Sequence, residues 1–382
     1  MKLCQLTIPA VTYAGQGSIE KIKEIIEKEQ AKSILLFTDK GVRNAGLTRY
    51  IEEICSAVDC RVIDDLTAEP AVADVERVIA EVGVVVPNLI IGVGGGSVMD
   101  AAKLASIVIG ASYSLRDLLQ DSTIARKFIK TIMVPTTCGT GSEATCNAIL
   151  AIPEKESKQG IVNTDMIPDY VILDADFIAK LPPQIIAATG VDALAHVVEC
   201  FTSKKATALS DTYAKAGAVK IFRNLRKAYA NADDLAAKSE MMIGAFYGGV
   251  AITGSGTTAV HALSYPLGGK YHIAHGVSNA ILFAHVMAFN KAACADRLAE
   301  LCEAVYPALA AKSVGEKADY IIDDIAAIVK DTHIPTSLES FGVKPEDIDF
   351  LVKAGSQQQR LLVNNCKELS LEDIRAIYLK VM

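Results

Sequence analysis

Four side chains in the second half of the chain have the types and the spacing that could bind a divalent metal ion. Asp192 and His196 stand four residues apart, so a helix would place both on one face. His261 and His275 follow within residues 241–290, a stretch with a single charged side chain. One carboxylate and three imidazoles suit a first-row ion such as Fe²⁺ or Zn²⁺, and the donor types do not distinguish these two metals. The alternative for the first pair is an ordinary helix-surface contact.

A glycine-rich turn in the first half could bind a phosphate group. In NLIIGVGGGSVMDAAK, residues 88–103, an apolar run leads through Gly94, Gly95 and Gly96 into the start of a helix. Such a turn directs backbone N–H groups and the positive end of the helix at an anion. The spacing is not Gly-x-Gly-x-x-Gly, and no Walker Lys-Ser/Thr pair follows, which disfavours a P-loop ATPase. A purely structural turn is the alternative.

Two further polar segments could complete a nucleotide site. Asp39 follows the apolar run SILLFT, residues 33–38, and could accept hydrogen bonds from an adenosine ribose, although it precedes the glycine turn in the chain. The alternative for Asp39 is a turn or helix-capping aspartate. The loop VPTTCGTGSEATCN, residues 134–147, supplies hydroxyls and glycines that can wrap a pyrophosphate or a nicotinamide amide.

Two patterns of apolar residues predict the elements that carry these groups. Up to about residue 178, short β-branched runs alternate with stretches whose apolar residues recur three and four apart. This alternation predicts a mostly parallel sheet with helices on both faces. From about residue 179 onward, helical periodicity dominates. The sequence therefore predicts an α/β domain over residues 1–178, an all-α domain over residues 179–382, and an active site in the cleft between them.

The composition excludes several classes of protein. Of the 382 residues 51% are hydrophobic and 22% are charged, which is enough apolar material for real cores and unlike a disordered chain. A net charge of -7 without any basic run argues against nucleic acid as a partner. Nine scattered cysteines without a Cys-x-x-Cys pair predict free thiols and a cytoplasmic location. Glycine, serine, threonine and proline interrupt residues 241–290, and the N-terminus does not look like a signal peptide, so we expect neither a membrane partner nor export.

Several motifs together resemble the iron-containing (group III) alcohol dehydrogenase family over nearly the whole chain. The matching segments, in order, are GGGSVMDAAK, PTTCGTGSEAT, ATGVDALAHVVE and HALSYPLGGKYHIAHGVSNAILFAH. The resemblance implies a Rossmann-like dinucleotide domain followed by a helical domain. It also implies NAD as the cofactor, together with a divalent metal, Fe²⁺ ahead of Zn²⁺.

The resemblance also assigns roles to individual positions of this sequence. Four residues would be the metal ligands: Asp192, His196, His261 and His275. Asp39 would bind the adenosine ribose. The other cofactor contacts would be Gly95, Gly96 and Ser97 at the pyrophosphate, and Thr136, Thr137, Thr140, Thr145, Asn147 and Lys158 elsewhere on NAD.

Some positions near the implied metal ligands depart from the family pattern or need separate interpretation. Tyr265 precedes Pro266 where many members have histidine, and Ala195 replaces a usual threonine. We expect Tyr265 to line the substrate pocket, so no particular substrate preference carries over.

His272 fits a frequent His-x-x-His-Gly pattern and has two interpretations. One is a catalytic contact, as a proton relay or at the nicotinamide, and the other is a buried structural histidine. His285 is expected to make core or helix contacts.

The implied reaction is reversible hydride transfer between a small alcohol and NAD, which gives an aldehyde or a ketone. The metal would favour alkoxide over alcohol in one direction and polarise the carbonyl in the other. Two alternatives remain: a lyase like the dehydroquinate synthases, which also combine NAD with a divalent metal, and a non-catalytic nucleotide-binding protein. A mean hydropathy of +0.29 suggests buried interface area, so we expect a homodimer or a higher homo-oligomer.

Overall fold

The computed structural model describes residues 3–82 and 86–382. Within them, strands and helices alternate along the first half of the chain. The strands are β1 (Val11–Ala14), β2 (Ser33–Phe37), β3 (Asp59–Ile63), β4 (Leu89–Gly94), β5 (Lys130–Pro135), β6 (Asn147–Ile152), β7 (Ser157–Val162) and β8 (Tyr170–Leu173). The helices of this half are α1 (Lys21–Lys28), α2 (Lys40–Asn44), α3 (Arg49–Cys55), α4 (Val72–Ala80), α5 (Gly96–Val108) and α6 (Leu115–Gln120).

A six-stranded parallel sheet in the order β1-β8-β5-β4-β2-β3 forms the centre of this half. Successive strand residues pack into two different helical layers. Ile34 and Leu36 of β2 pack with α1 and α3, whereas Leu35 and Phe37 pack with α4 and α5. Because both faces of the sheet are covered, its central strands are apolar almost throughout. The predicted Rossmann-like α/β fold is confirmed.

The second half of the chain is helical, as predicted. Its helices are α7 (Pro183–Thr202), α8 (Ala208–Ala230), α9 (Leu235–Ser255), α10 (Ala259–Tyr271), α11 (His275–Val305), α12 (Val314–Asp331), α13 (Ile348–Ser356), α14 (Gln359–Leu362) and α15 (Leu371–Leu379). α7 packs against α8, α9 and α11 and therefore lies inside this half. It has the length and the apolar character of a membrane-crossing helix, but 83% of the relevant window is buried within the protein. Such burial is typical of a core helix.

The connection between the two halves is short. β8 ends at Leu173 and α7 begins at Pro183, so the division that we propose after residue 178 falls between them. Pro182 and Pro183 stand at the start of α7, where a missing backbone N–H removes no helical hydrogen bond.

An antiparallel hairpin formed by β6 and β7 lies outside the main sheet and was not predicted from the sequence; neither was β1. β6 packs against α5 of the first half, and β7 packs against α10 of the second. Residues of β6 alternate between buried and half-buried positions, a weaker signal than the continuous apolar runs of the central strands. The hairpin matters for function because it bridges the two halves beside the site described next.

Candidate metal and cofactor site

Three helices bring Asp192, His196, His261 and His275 together at the boundary between the two halves, and we call these four residues the metal cluster. α7 carries the first two, α10 carries His261, and α11 begins at His275. One donor atom from each residue lies within 4.8 Å of the other three. Asp192 Oδ1 is 3.5 Å from Nε2 of His261 and 3.5 Å from Nε2 of His275. Nε2 of His196 is 2.9 Å from Nε2 of His261.

Glu199, one turn after His196 on α7, connects the metal cluster to the start of α10. Its Oε2 accepts a hydrogen bond from Nδ1 of His261, which leaves Nε2 of that ring facing the cluster. Its Oε1 accepts from the backbone N–H groups of Thr258, at 3.1 Å, and Val260, at 2.8 Å, and from the Thr258 hydroxyl. Glu199 therefore satisfies N–H groups at the start of α10 and orients His261 at the same time.

Two buried carboxylates in and beside the metal cluster need positive charge nearby to offset the cost of their burial. Asp192 and Glu199 are 2% and 0% exposed. Burial alone would lower the pKa of His261, but Glu199 and Asp192 raise it to about 9. Burial lowers the pKa of His196 and holds the pKa of His275 well below its ordinary value. A divalent cation meets the same demand while all three imidazoles stay neutral, so the donor set fits a first-row divalent ion.

Asn279, one turn after His275 on α11, is also part of the centre. Its Nδ2 donates to Oδ1 of Asp192 at 2.7 Å and lies 3.2 Å and 3.3 Å from Nε2 of His261 and His275. Its Oδ1 is buried and has no hydrogen-bond partner within the described chain. The amide thus reaches three of the four cluster side chains at once.

The sequence analysis missed both Glu199 and Asn279. The signal for them was helical spacing, because Glu199 follows His196 by three residues and Asn279 follows His275 by four. Either interval places a side chain on the same helix face as the ligand candidate before it.

The carboxyl ends of three neighbouring strands form the second part of the site. β4 lies between β5 and β2, with Gly94 paired to Pro135 and Gly92 paired to Phe37. The glycine turn after β4, the threonine loop after β5 (residues 136–147) and Asp39 after β2 therefore meet at one edge of the sheet. This edge is where open α/β sheets bind dinucleotides.

The glycine turn packs directly against the threonine loop. Gly95 precedes α5, and Gly96 is its first residue. A Cβ at Gly96 would lie 2.7 Å from the Thr140 methyl group, and one at Gly95 would lie 3.6 Å from Thr137. A side chain at Gly96 would therefore collide with Thr140, whereas glycine leaves the N-terminus of α5 open to an anion.

A buried lysine anchors the threonine loop from below. Lys103 of α5 is fully buried and donates to the Ser142 carbonyl at 3.0 Å, to the Thr145 hydroxyl at 2.9 Å and to the Asn147 carbonyl. Asp100 pairs with Lys103 at 3.0 Å and accepts a hydrogen bond from the Ser142 hydroxyl at 2.5 Å. These contacts hold Thr145 and Asn147 at the wall of the cavity.

A cavity of about 500 Å³ joins the metal cluster to the glycine turn. Its other walls come from the β6–β7 hairpin, the end of α9 and α14. It therefore opens between the two halves, where the sequence analysis expected the active site. Most of the predicted site residues line it: Gly96, Ser97, Thr140, Thr145, Asn147, Lys158, His196, His261, Tyr265 and His275.

Other predicted residues do not line it, namely Asp39, Gly95, Thr136, Thr137 and Asp192. Asp39 is the N-cap of α2, and its Oδ1 accepts from the Val42 N–H at 2.9 Å. Asp39 therefore caps a helix in the structure, which is the alternative that the sequence analysis gave for it. Because the cap uses Oδ1 alone, Asp39 can cap α2 and still offer its other carboxylate oxygen to a ribose at the cofactor edge of the sheet.

His272 does not reach the site. It is an exposed residue at the end of α10 with a left-handed backbone, φ 53°, and it does not line the cavity. The chain changes direction here between α10 and α11, which exposes the side chain. The expectation of a buried His272 is wrong, and the geometry gives no support to a catalytic contact. His285 is half-buried on α11.

Tyr265 lines the cavity beside the metal cluster. It is 4% exposed, and its ring centroid lies 6.1 Å from that of His275. Burial raises the pKa of the phenol, and the nearby Arg360 guanidinium opposes part of that increase. Tyr265 stands where the sequence analysis expected a pocket-lining residue.

Comparisons with known proteins agree with this geometry. Residues 9–175 match the family profile described as iron-containing alcohol dehydrogenase, and residues 186–382 match the C-terminal profile of the same family. The chain is 35% identical to long-chain-alcohol dehydrogenase 1 of Geobacillus thermodenitrificans over 99% of its own length and 96% of the relative. It is 28% identical to the NAD-dependent methanol dehydrogenase of Bacillus methanolicus, covering 91% of each chain.

Solved structures show the same fold along the full chain. The alcohol dehydrogenase from Oenococcus oeni superimposes with a TM-score of 0.94 at 28% identity, covering 100% of both chains. A 1,3-propanediol oxidoreductase superimposes with a TM-score of 0.92, also at 28% identity and 100% coverage of both chains.

A parallel sheet with a glycine turn, joined to a helical half with an Asp-His₃ cluster, is the arrangement expected of an enzyme that combines a dinucleotide with a divalent metal. The chain belongs to the iron-containing alcohol dehydrogenase family. Proteins of this family use NAD and a divalent metal. The predicted activity, NAD-dependent alcohol oxidoreduction, is therefore confirmed in preference to the lyase and to the non-catalytic alternative.

Proposed function

We propose that this chain interconverts a small alcohol and its aldehyde or ketone in the cavity between its two halves. In this proposal the metal cluster holds a divalent ion, Fe²⁺ or else Zn²⁺, and the glycine turn and threonine loop hold NAD. One observation carries the proposal: three of the four converging side chains, His196, His261 and His275, line the same cavity as the N-terminus of α5. A substrate bound at the cluster would then lie next to the cofactor.

When bound, the ion stabilises an alkoxide or polarises a carbonyl, while NAD exchanges the hydride. The side chains of this protein position the reactants. Glu199 and Asn279 hold the cluster side chains in place, and Lys103 holds the threonine loop against the cavity. Ile149, Ile252 and Tyr265 supply apolar wall that excludes water. The Tyr265 phenol also lines the cavity and can donate a hydrogen bond to a substrate.

A small substrate fits the available space. The cavity of about 500 Å³ has to accept the nicotinamide end of the cofactor as well as the alcohol. The relatives are named for alcohols of very different size, from methanol to long-chain alcohols, so family membership leaves the choice to the pocket itself.

The decisive experiment measures NADH formation and NADH oxidation with a panel of alcohols and aldehydes, alongside elemental analysis of the purified protein. We expect activity on short substrates and about one divalent ion per chain. Stoichiometric metal without turnover of any alcohol or aldehyde would overturn the proposal.

We further propose that the protein is cytoplasmic and forms a homodimer or a higher homo-oligomer. The cysteines are free thiols in the structure, and the mean hydropathy of +0.29 is high for a chain without a subunit interface. Light scattering coupled to size-exclusion chromatography tests the subunit number, and cell fractionation tests the location. A monomer, or recovery outside the cytoplasm, would contradict the respective part.

A further inference from the structure

A second cavity, separate from the one at the metal cluster, has two cysteines in its wall. Its volume is about 350 Å³, and it is lined by both Cys294 of α11 and Cys366. The two residues are far apart in the chain, since Cys366 follows α14. Cys294 is 4% exposed and Cys366 is half-buried. All nine cysteines are free thiols in the structure, so both side chains are available for thiol chemistry.

The backbone carbonyl of Asn290 brings the two thiols together. Sγ of Cys294 donates to this oxygen at 3.3 Å, and Sγ of Cys366 lies 4.0 Å from the same atom. The two thiols also form a hydrogen bond with each other. α11 is kinked at Cys294, whose φ of -137° and ψ of 24° lie outside the helical region. Two sulfur atoms that share one acceptor in this way need little movement to come within bonding distance.

Two asparagines hold the segment that carries Cys366 against α11. Nδ2 of Asn290 donates to Oδ1 of Asn365 at 2.9 Å, and Nδ2 of Asn365 donates back to Oδ1 of Asn290 at 2.7 Å. Both side chains are fully buried. This reciprocal amide pair connects the residue before Cys366 to the residue one turn before Cys294. The fold itself therefore sets the approach of the two sulfur atoms.

The two thiols differ in their chemistry. The hydrogen bond with Cys294 lowers the pKa of Cys366 against the effect of burial, and Lys204, which lines the same cavity, lowers it further. The same hydrogen bond, together with burial, raises the pKa of Cys294. Because the thiolate is the nucleophile in thiol oxidation, Cys366 is the thiol that reacts first with an oxidant. Cys294 is placed to react with the oxidised Cys366.

We propose that Cys294 and Cys366 form a peroxide-sensitive dithiol site, in which a small hydroperoxide such as hydrogen peroxide oxidises Cys366 and Cys294 completes an intramolecular disulfide. The Cys366 thiolate attacks one peroxide oxygen and the O–O bond breaks, which gives a sulfenic acid and hydroxide. Cys294 then attacks the Cys366 sulfur, the S–S bond forms, and the sulfenic oxygen leaves as hydroxide. The hydroxides take up the two thiol protons, so the two thiols lose two electrons and hydrogen peroxide becomes two molecules of water. Exchange with a small thiol reverses the modification.

The dithiol site lies close to one wall of the reaction cavity without being part of it. Asn364, two residues before Cys366, lines the reaction cavity, and its Nδ2 donates to the Thr257 carbonyl at 2.9 Å. A disulfide would tie the segment that carries this wall to α11 by a covalent bond. Since neither cysteine lines the reaction cavity, the site goes beyond the proposed function and does not depend on it.

The test treats the zinc-loaded enzyme with hydrogen peroxide, because Fe²⁺ would itself react with the oxidant. Thiols titrated after denaturation without reductant should fall by two, from nine to seven. Peptide mass spectrometry should find Cys294 joined to Cys366 with the loss of two hydrogen atoms, and a dithiol reductant should restore all nine thiols. An unchanged thiol count, a disulfide between Cys55 and Cys60 in place of this pair, or sulfinic acid at Cys366 without any disulfide would overturn the proposal.

Single substitutions distinguish the roles of the two thiols. In Cys294→Ser the reaction should stop at the Cys366 sulfenic acid, which dimedone labels, and no disulfide should form. In Cys366→Ser the buried Cys294 should stay reduced and unlabelled. Cys4→Ser is the matched control, because it removes another half-buried thiol from the other end of the chain and should form the disulfide as the wild type does. Dimedone labelling of Cys294 in Cys366→Ser as fast as that of Cys366 in Cys294→Ser would overturn the assignment of Cys366 as the attacking thiol.

Discussion

The Glu199 carboxylate faces Nδ1 of His261 and at the same time binds the first N–H groups of the helix on which His261 stands. One fully buried side chain of α7 therefore determines both where α10 begins and which nitrogen of His261 faces the metal cluster. The relationship makes Glu199 a positioning residue for the centre, although its carboxylate is not one of the four converging donors.

Replacing this carboxylate tests the positioning role. Glu199→Gln keeps the size of the side chain and one acceptor for the α10 N–H groups, but it removes the charged partner of His261. We expect the affinity for the divalent ion to fall by about 10- to 100-fold, as is usual when the outer partner of a ligating histidine is lost. Competition with a chelator measures this affinity. The control is Glu240→Gln, which changes a half-buried glutamate that pairs with Lys220 far from the cluster residues in the chain, and equal affinity in both variants would contradict the role.

Removal of a cluster imidazole should separate metal binding from cofactor binding. His275→Ala is expected to lose the metal and the activity, while NAD binding and the fold persist, because the cofactor edge belongs to the other half of the chain. Elemental analysis and fluorescence titration with NADH measure the two properties. His285→Ala removes a half-buried histidine from the same helix and should retain both. Full, tightly held metal in His275→Ala would remove this residue from the ligand set.

Asp39 should make the enzyme prefer NAD over NADP. A carboxylate at the end of β2 can accept from the ribose hydroxyls, but it would repel a 2′-phosphate. Asp39→Gly should therefore shift the ratio of kcat/KM values towards NADP by about tenfold or more. Asp39→Asn keeps the cap on α2 and removes only the charge, so it should shift the ratio in the same direction without a loss of stability. An unchanged ratio in both variants would reduce Asp39 to its capping role.

The buried carboxyl of Glu143 should make stability fall as the pH rises. Burial raises its pKa from 4.5 to about 7, so between these values the folded protein binds more protons than the unfolded chain. The destabilisation that comes from ionising buried Glu143 is absent below the pKa of the unfolded chain and complete above the pKa of the folded protein. The free energy of unfolding of wild type should therefore fall, relative to that of Glu143→Gln, by on the order of 3 kcal/mol between about pH 5 and about pH 8. Urea unfolding at both pH values measures the difference, and exposed Glu154→Gln is the control. Parallel pH profiles would show that Glu143 is not responsible.

Patterns that depend only on neighbours along the chain determined much of this protein. The run that forms β4 is buried on both sides of the sheet. Such a strand consists almost entirely of valine, leucine, isoleucine and small residues, so it can be recognised from the sequence. The i, i+4 spacing of Asp192 and His196 predicted a shared helix face, and α7 provides it. The sheet, the helical half and the order of the main segments could therefore be predicted without the tertiary structure.

Only the tertiary structure decided how distant segments meet. Asp39 precedes the glycine turn in the chain, yet β2 lies directly beside β4, so both reach the same edge of the sheet. The chain reversal after α10 exposes His272 and brings His275 into the metal cluster, two residues that the sequence places almost side by side. Arg360 comes from a short helix near the C-terminus, and its approach to Tyr265 has no local signal. Periodicity reports which face of an element is buried, whereas the partner of that face is set by packing between elements far apart in the chain.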